Sequence, residues 1–150
     1  MVATTSVNWA AARQAVAEAG PRVTAMLRAG SRTDAPALGV WDVAQLAAHI
    51  SHAMDTIGAM SKGGGNVLED IAGLSTLTRV MVEGEGRRPL ADLADRIDAS
   101  VAAFLADMEA AAASGDGSRA WMVQGTEMPL STLTCHMLNE LTVHGHDVAT

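Results

Sequence analysis

Residues 90–108 read LADLADRIDASVAAFLADM, and the spacing of their apolar members decides what kind of fold the chain can adopt. Leu90, Leu93, Ile97, Val101, Phe104, Leu105 and Met108 recur at threes and fours, which gathers them on one side of a helix that turns about 100° per residue. Pro89 suits the first turn of such a helix, where its missing N–H costs nothing. The pattern runs out in SGDGS, Ser114 to Ser118. A helix with one apolar side must bury that side against other helices or a sheet, so the rest of the chain decides the partner.

The flanking sequence supplies more helices. One pattern runs from about Asn8 to Ala29, with Gly20-Pro21 predicting a kink in its middle or a division into two shorter helices. After the loop GSRTDAPALGV (30–40), Asp42 is the predicted N-cap of a helix within WDVAQLAAHISHAMDTIGAM (41–60), which stops at Gly63-Gly64-Gly65. The stretch NVLEDIAGLSTLTRVMVEG (66–84) reads as helical, although Gly73 and the Ser/Thr cluster leave its course open. A connection through Trp121 and a turn at Pro129 leads into the last helix, roughly Leu130 to Ala149. No segment reads as a strand. The expectation is an all-α, antiparallel four-helix bundle with extra short helical segments, one domain over residues 1–150.

Composition agrees with helices. Hydrophobic residues make up 49% of the 150, aromatics only 3%, and there is no Tyr, so Ala, Leu, Val, Ile and Met must build the core. A net charge of −7 with scattered Lys and Arg argues against a nucleic-acid partner, which calls for a basic patch. No apolar run approaches the roughly 18 residues of a membrane span, and the start MVATTSVNW lacks the form of a signal peptide. Cys135, the single cysteine, rules out an intramolecular disulfide and suits a reducing compartment. The expectation is a cytoplasmic protein away from membranes, with a homodimer left open.

The chain ends NELTVHGHDVAT (139–150), and its polar residues fall in a line. With Glu140 as zero, His136 lies near −40°, His144 near +40° and Asp147 near −20° on the helical wheel, while Leu133, Met137, Leu141 and Val148 lie between about +20° and +100°. The polar line therefore borders the buried stripe, where a solvated face is not expected. His146 and Cys135 point away. On the second helix, Val43, Leu46, Ile50, Ala53, Met54 and Ile57 form the apolar stripe; His49 sits at its edge and His52 about 60° further out, toward solvent. Two readings stay open: hydrogen-bonded core histidines beside an ordinary i,i+4 ion pair, or two ligands of one helix turn joined by a histidine from a neighbouring helix to hold a metal cation. A buried glutamate without nearby basic residues needs such compensation. Trp41 and Trp121 read as packing residues at helix entries, and Cys135 as a small apolar filler.

Three stretches carry a family resemblance. WDVAQLAAHISHA resembles a Trp-x-Val-x-x-Leu-x-x-His helix, MPL the turn before the last helix, and NELTVHGHDVA a Glu-x-x-x-His-Gly-x-Asp ending; in this order they resemble the DinB-like metal-binding superfamily, specifically the N-terminal domain of mycothiol-dependent maleylpyruvate isomerases and related mycothiol S-transferases. The resemblance covers nearly the whole chain. It implies His49, Glu140 and His144 as metal ligands, usually of zinc, and mycothiol as the thiol cofactor. Met137 stands where many relatives carry Arg, and His146 where an aromatic is common. The implied chemistry is activation of the small thiol for conjugation to, or isomerisation of, an electrophilic small molecule. His136 is a candidate proton shuttle and Asp147 a candidate partner that orients His144. Members resembling the isomerase have a second domain that contributes to the active site. A second expectation therefore stands: a non-enzymatic metal-binding bundle acting as a subunit or interaction domain.

Overall fold

The computed structural model describes residues 8–63, 71–117, 120–123 and 126–149. Its elements in chain order are α1 (Trp9–Ala29), β1 (Pro36–Leu38), β2 (Trp41–Asp42), α2 (Val43–Met60), a 3-10 turn (Ile71–Gly73), α3 (Leu74–Glu85), α4 (Leu90–Ala113), β3 (Ala120–Val123), β4 (Thr126–Pro129) and α5 (Leu130–Ala149). Helices account for well over half of the chain, and the fold is all-α. None of them is long and apolar enough to cross a membrane.

Four helices form the bundle. α1 packs on α4 and α5, and α2 packs on the same two, so α1 and α2 lie diagonally opposite. The directions follow from individual contacts. Arg28 pairs with Asp95 and Asp98 while Arg13 reaches Met108, so α1 and α4 run antiparallel; Trp9 bonds Thr134 and Gly145 faces Val23, so α1 and α5 run parallel. Asp55 meets Arg96 and Ser100 while Lys62 meets Asp107, which makes α2 and α4 parallel. The expected antiparallel order thus holds for only two of the four neighbouring pairs, α1/α4 and α2/α5. The physical reason is a long crossover: α3 lies between α2 and α4 in the chain and packs on α2, which lets α4 start at the same end of the bundle as α2.

The stripe on α4 is buried as its spacing requires. Leu90, Leu93, Ile97, Val101, Phe104 and Met108 join the core, with Leu105 packed at its margin. α1 is one continuous helix despite Pro21, which removes an internal hydrogen bond. Contacts on both sides of the proline hold it: Gly20 lets α4 approach so closely that a Cβ would lie 3.2 Å from Val101, Thr24 donates to Asp98, and Arg28 bridges Asp95 and Asp98.

The structure has two antiparallel hairpins where the sequence pattern predicts no strand. β1 pairs with β2 through the turn at Gly39, whose φ of 59° suits a residue without a Cβ, and β3 pairs with β4. Each strand has four residues or fewer, too short for alternation to show in a sequence rich in Ala and Pro. The first hairpin delivers the chain directly into α2. There Asp42 accepts from the Gln45 backbone N–H, the Gln45 side chain accepts from the Asp42 N–H, and Arg87 binds the other Asp42 oxygen at 2.6 Å. The reciprocal cap orients the helix that carries His49. Asp42→Ala is expected to lower stability by about 1–2 kcal/mol, with most of the loss from the cap and little from the exposed arginine. Urea unfolding checks this, and an unchanged midpoint would show that the cap contributes nothing.

Candidate metal centre

α2 and α5 cross antiparallel at the level of His49, and this crossing assembles a cluster. On α5, Glu140 and His144 are one turn apart and point the same way, as i and i+4 residues do. Nε2 of His144 lies 3.3 Å from Oε2 of Glu140, and Nε2 of His49 lies 3.4 Å from the same oxygen. One ligand atom from each of the three residues falls within 4.8 Å of the others. The side chains are 19% (His49), 15% (Glu140) and 16% (His144) exposed, so the cluster is largely withdrawn from water.

The carboxylate is the informative group. Oε2 of Glu140 is buried and has no hydrogen-bond partner of good geometry among the described residues. The imidazoles are nevertheless close enough to stabilise its charge. His144 first, and then His49, hold the Glu140 carboxyl well below the ordinary carboxylate range against the opposing effect of burial. Glu140 in turn raises His144 above the usual imidazole value, burial opposes, and Asp147 adds to the rise. A charge-assisted N–H···O bond is normally about 2.7–2.9 Å long. Donors roughly 2.0–2.1 Å from a tetrahedral zinc ion instead stand about 3.3 Å from one another, a simple consequence of the tetrahedral angle. The two separations to Glu140, 3.3 and 3.4 Å, match that edge better than a direct ion pair, and the two imidazole donors lie within 4.8 Å of each other. Two imidazoles and a carboxylate form a donor set that could hold a divalent cation such as zinc.

The remaining candidates are placed as follows. Asp147 reaches His144: its Oδ2 lies 3.2 Å from Nδ1, the ring nitrogen opposite Glu140. His136 is exposed and stands outside the converging group. It lies about 40° from Glu140, on the side away from the apolar stripe, so the edge of the buried face passes between them. His146 is exposed, Cys135 is a half-buried free thiol, and Met137 is fully buried. His52 corrects an expectation: it is not turned to solvent, because Nε2 lies 2.9 Å from Oε2 of Glu85 at the end of α3. A wheel drawn for one helix cannot show that α3 covers that side of α2. Burial pushes the Glu85 carboxyl up, but hydrogen bonds from Arg96 and Arg88 outweigh it and hold the group below its ordinary value. That acid is satisfied by cations of its own chain, unlike Glu140.

Sequence reasoning also missed the contact made by Trp41. Its ring lies 5.2 Å from the His49 ring, centroid to centroid, at an interplanar angle of 41°. The signal was there in the position of Trp41 just before the helix that carries His49, but packing at a helix entry did not reveal what the ring packs against. The side chain of Trp121 lies outside the described residues.

The family model described as mycothiol maleylpyruvate isomerase N-terminal domain matches residues 9–149. Neither a curated protein nor a solved structure gives a match.

Proposed function

The chain belongs to the mycothiol maleylpyruvate isomerase N-terminal domain family, and from that premise we propose that it is a metal-dependent, thiol-handling domain in which His49, Glu140 and His144 hold a divalent cation, best zinc. The observation that carries this reading is the buried Glu140 oxygen, faced by two imidazole nitrogens at 3.3 and 3.4 Å and lacking a proper hydrogen bond. When bound, zinc supplies the Lewis acidity that favours the thiolate, nucleophilic form of a thiol such as mycothiol.

The residues around the cluster have separate tasks. Asp147 accepts a hydrogen bond from Nδ1–H of His144, which fixes the tautomer and leaves the Nε2 lone pair directed toward the cluster. Glu140 brings negative charge that a buried dication requires. Three protein donors leave coordination positions open, whereas structural zinc sites are normally closed by a fourth. Among the described residues no fourth donor joins the three. The partners of this reading are therefore a small thiol and an electrophilic small molecule that accepts its sulfur.

Cobalt substitution tests the open site. Titration of the cobalt protein with mycothiol is expected to produce a sulfur-to-cobalt charge-transfer band in the wild type and none in His144→Ala. Bound cobalt whose spectrum is indifferent to saturating mycothiol would leave a structural metal site in a non-enzymatic bundle and remove the thiol-handling role.

A further inference from the structure

The two histidines of the cluster are held in different ways. His144 is oriented through its far nitrogen by Asp147. Among the described residues, the one polar contact of His49 is the one to Glu140 itself, and no hydrogen bond from behind directs that ring. Its neighbours are instead two rings: Trp41, tilted by 41° at 5.2 Å, and His144, edge-on at 84° and 4.9 Å. We propose that Trp41 is the positioning residue for His49, an aromatic wall that does by packing what Asp147 does for His144 by hydrogen bonding. The inference rests on the metal-binding reading above.

The wall is itself well anchored. Trp41 lies in β2, paired with Leu38 across the first hairpin, and its ring is half-buried against the core. The next residue, Asp42, is fastened twice, to the Gln45 backbone N–H and to Arg87. The indole therefore stands on a strand and a capped helix start, not on a free loop. A tilted aromatic contact at this separation lies in the range where ring pairs attract beyond simple area burial. An imidazole without such a wall is free to exchange among rotamers, and each exchange turns Nε2 away from the Glu140 oxygen. Loss of a partner behind a metal ligand typically weakens metal affinity tenfold to a hundredfold. A packing partner is expected to act at the lower end, about tenfold.

The experiment uses the full chain with cobalt as the probe. Trp41→Leu, which keeps apolar bulk without a ring, is expected to bind cobalt about tenfold more weakly and to show an altered visible d–d spectrum; Trp41→Phe is expected to restore both to within about threefold of wild type. A structural role alone would not change the ligand-field spectrum of the cobalt that still binds. Circular dichroism of the metal-free variants confirms that they fold. Wild-type affinity and spectrum in Trp41→Leu would overturn the proposal while leaving the metal site intact, whereas a wild-type chain that takes up no cobalt would overturn both. If the leucine variant does not fold, Trp9→Phe/Trp121→Phe leaves Trp41 as the sole indole. Saturating cobalt should then quench more than half of its emission, and unquenched emission would overturn the placement of the indole beside the ion.

Discussion

His49→Ala is expected to empty a site that holds close to one equivalent of divalent metal in the wild-type protein. Glu140 and His144 come from one turn of α5, and His49 is the only member of the cluster supplied by another helix. Its removal leaves two donors on one helix turn, too few for tight zinc binding. The loss should exceed the roughly hundredfold effects that follow from disturbing residues behind a ligand. Glu140→Gln should weaken binding as well, because a neutral amide is a poorer donor and no longer offsets the charge of the ion. Metal analysis after dialysis against a weak chelator checks both variants. Stoichiometric metal in His49→Ala would refute the assignment.

The same cluster predicts how metal and protons compete. Both imidazoles must be neutral to bind a cation, so uptake releases protons and affinity rises with pH through the imidazole range. Because Glu140 raises His144, the loss of affinity on acidification should begin at a higher pH than for an isolated histidine. The metal-free protein has the opposite preference. The raised His144 contributes stability that is fully present below its unfolded value and is lost as the pH rises through its folded value; the depressed Glu140 contributes stability present above its unfolded value and lost as the pH falls. The ion pair therefore stabilises the apoprotein between the carboxylate and imidazole ranges. In the proposed metal-bound form the ion replaces it above that window.

What the sequence made legible was periodic, and what it hid was relational. The spacing of Leu90, Leu93, Ile97, Val101, Phe104 and Met108 requires a helix with one buried side, and that side is buried. The i,i+4 pair Glu140 and His144 had to share a face, and His49 at the edge of its own apolar stripe was available to meet them. Helix direction was not available. A wheel is indifferent to polarity, and the parallel packing of α1 on α5 follows from connections whose lengths the sequence shows but whose paths it does not. His136 stands apart from the cluster and His52 departs from its expected place for related reasons. The first lies just beyond the boundary of the buried face, and the second is covered by α3, an element whose docking leaves no periodic trace on α2. Trp41 was read as packing, which it is, but its partner is a proposed metal ligand.

Gly145→Leu is expected to destabilise the bundle by about 3 kcal/mol and to weaken metal binding with it. Gly145 is buried where α5 crosses α1, and a Cβ there would lie only 2.8 Å from Cγ2 of Val23. Val23 is itself 3% exposed and branched at Cβ, so it has little freedom to yield. Two effects oppose each other in the smaller substitution. Ala in place of Gly gains up to about 1 kcal/mol of helix propensity, and the close contact costs about as much or more, so Gly145→Ala should be near neutral or mildly destabilising. Leu adds three further carbons in the same direction with no gain in helix propensity over Ala to offset them, and α5 must move away from α1. The neighbouring residue is His144, so that movement displaces one donor of the cluster relative to His49 on α2. Denaturant midpoints of the metal-free variants and zinc affinities of the folded fractions measure the two effects separately. A leucine variant as stable as the alanine variant would show that α1 and α5 do not depend on close approach at this crossing. A destabilised leucine variant with undiminished zinc affinity would show that the three donors keep their arrangement when α5 shifts, and the packing of α5 on α1 would then have no part in holding the metal centre.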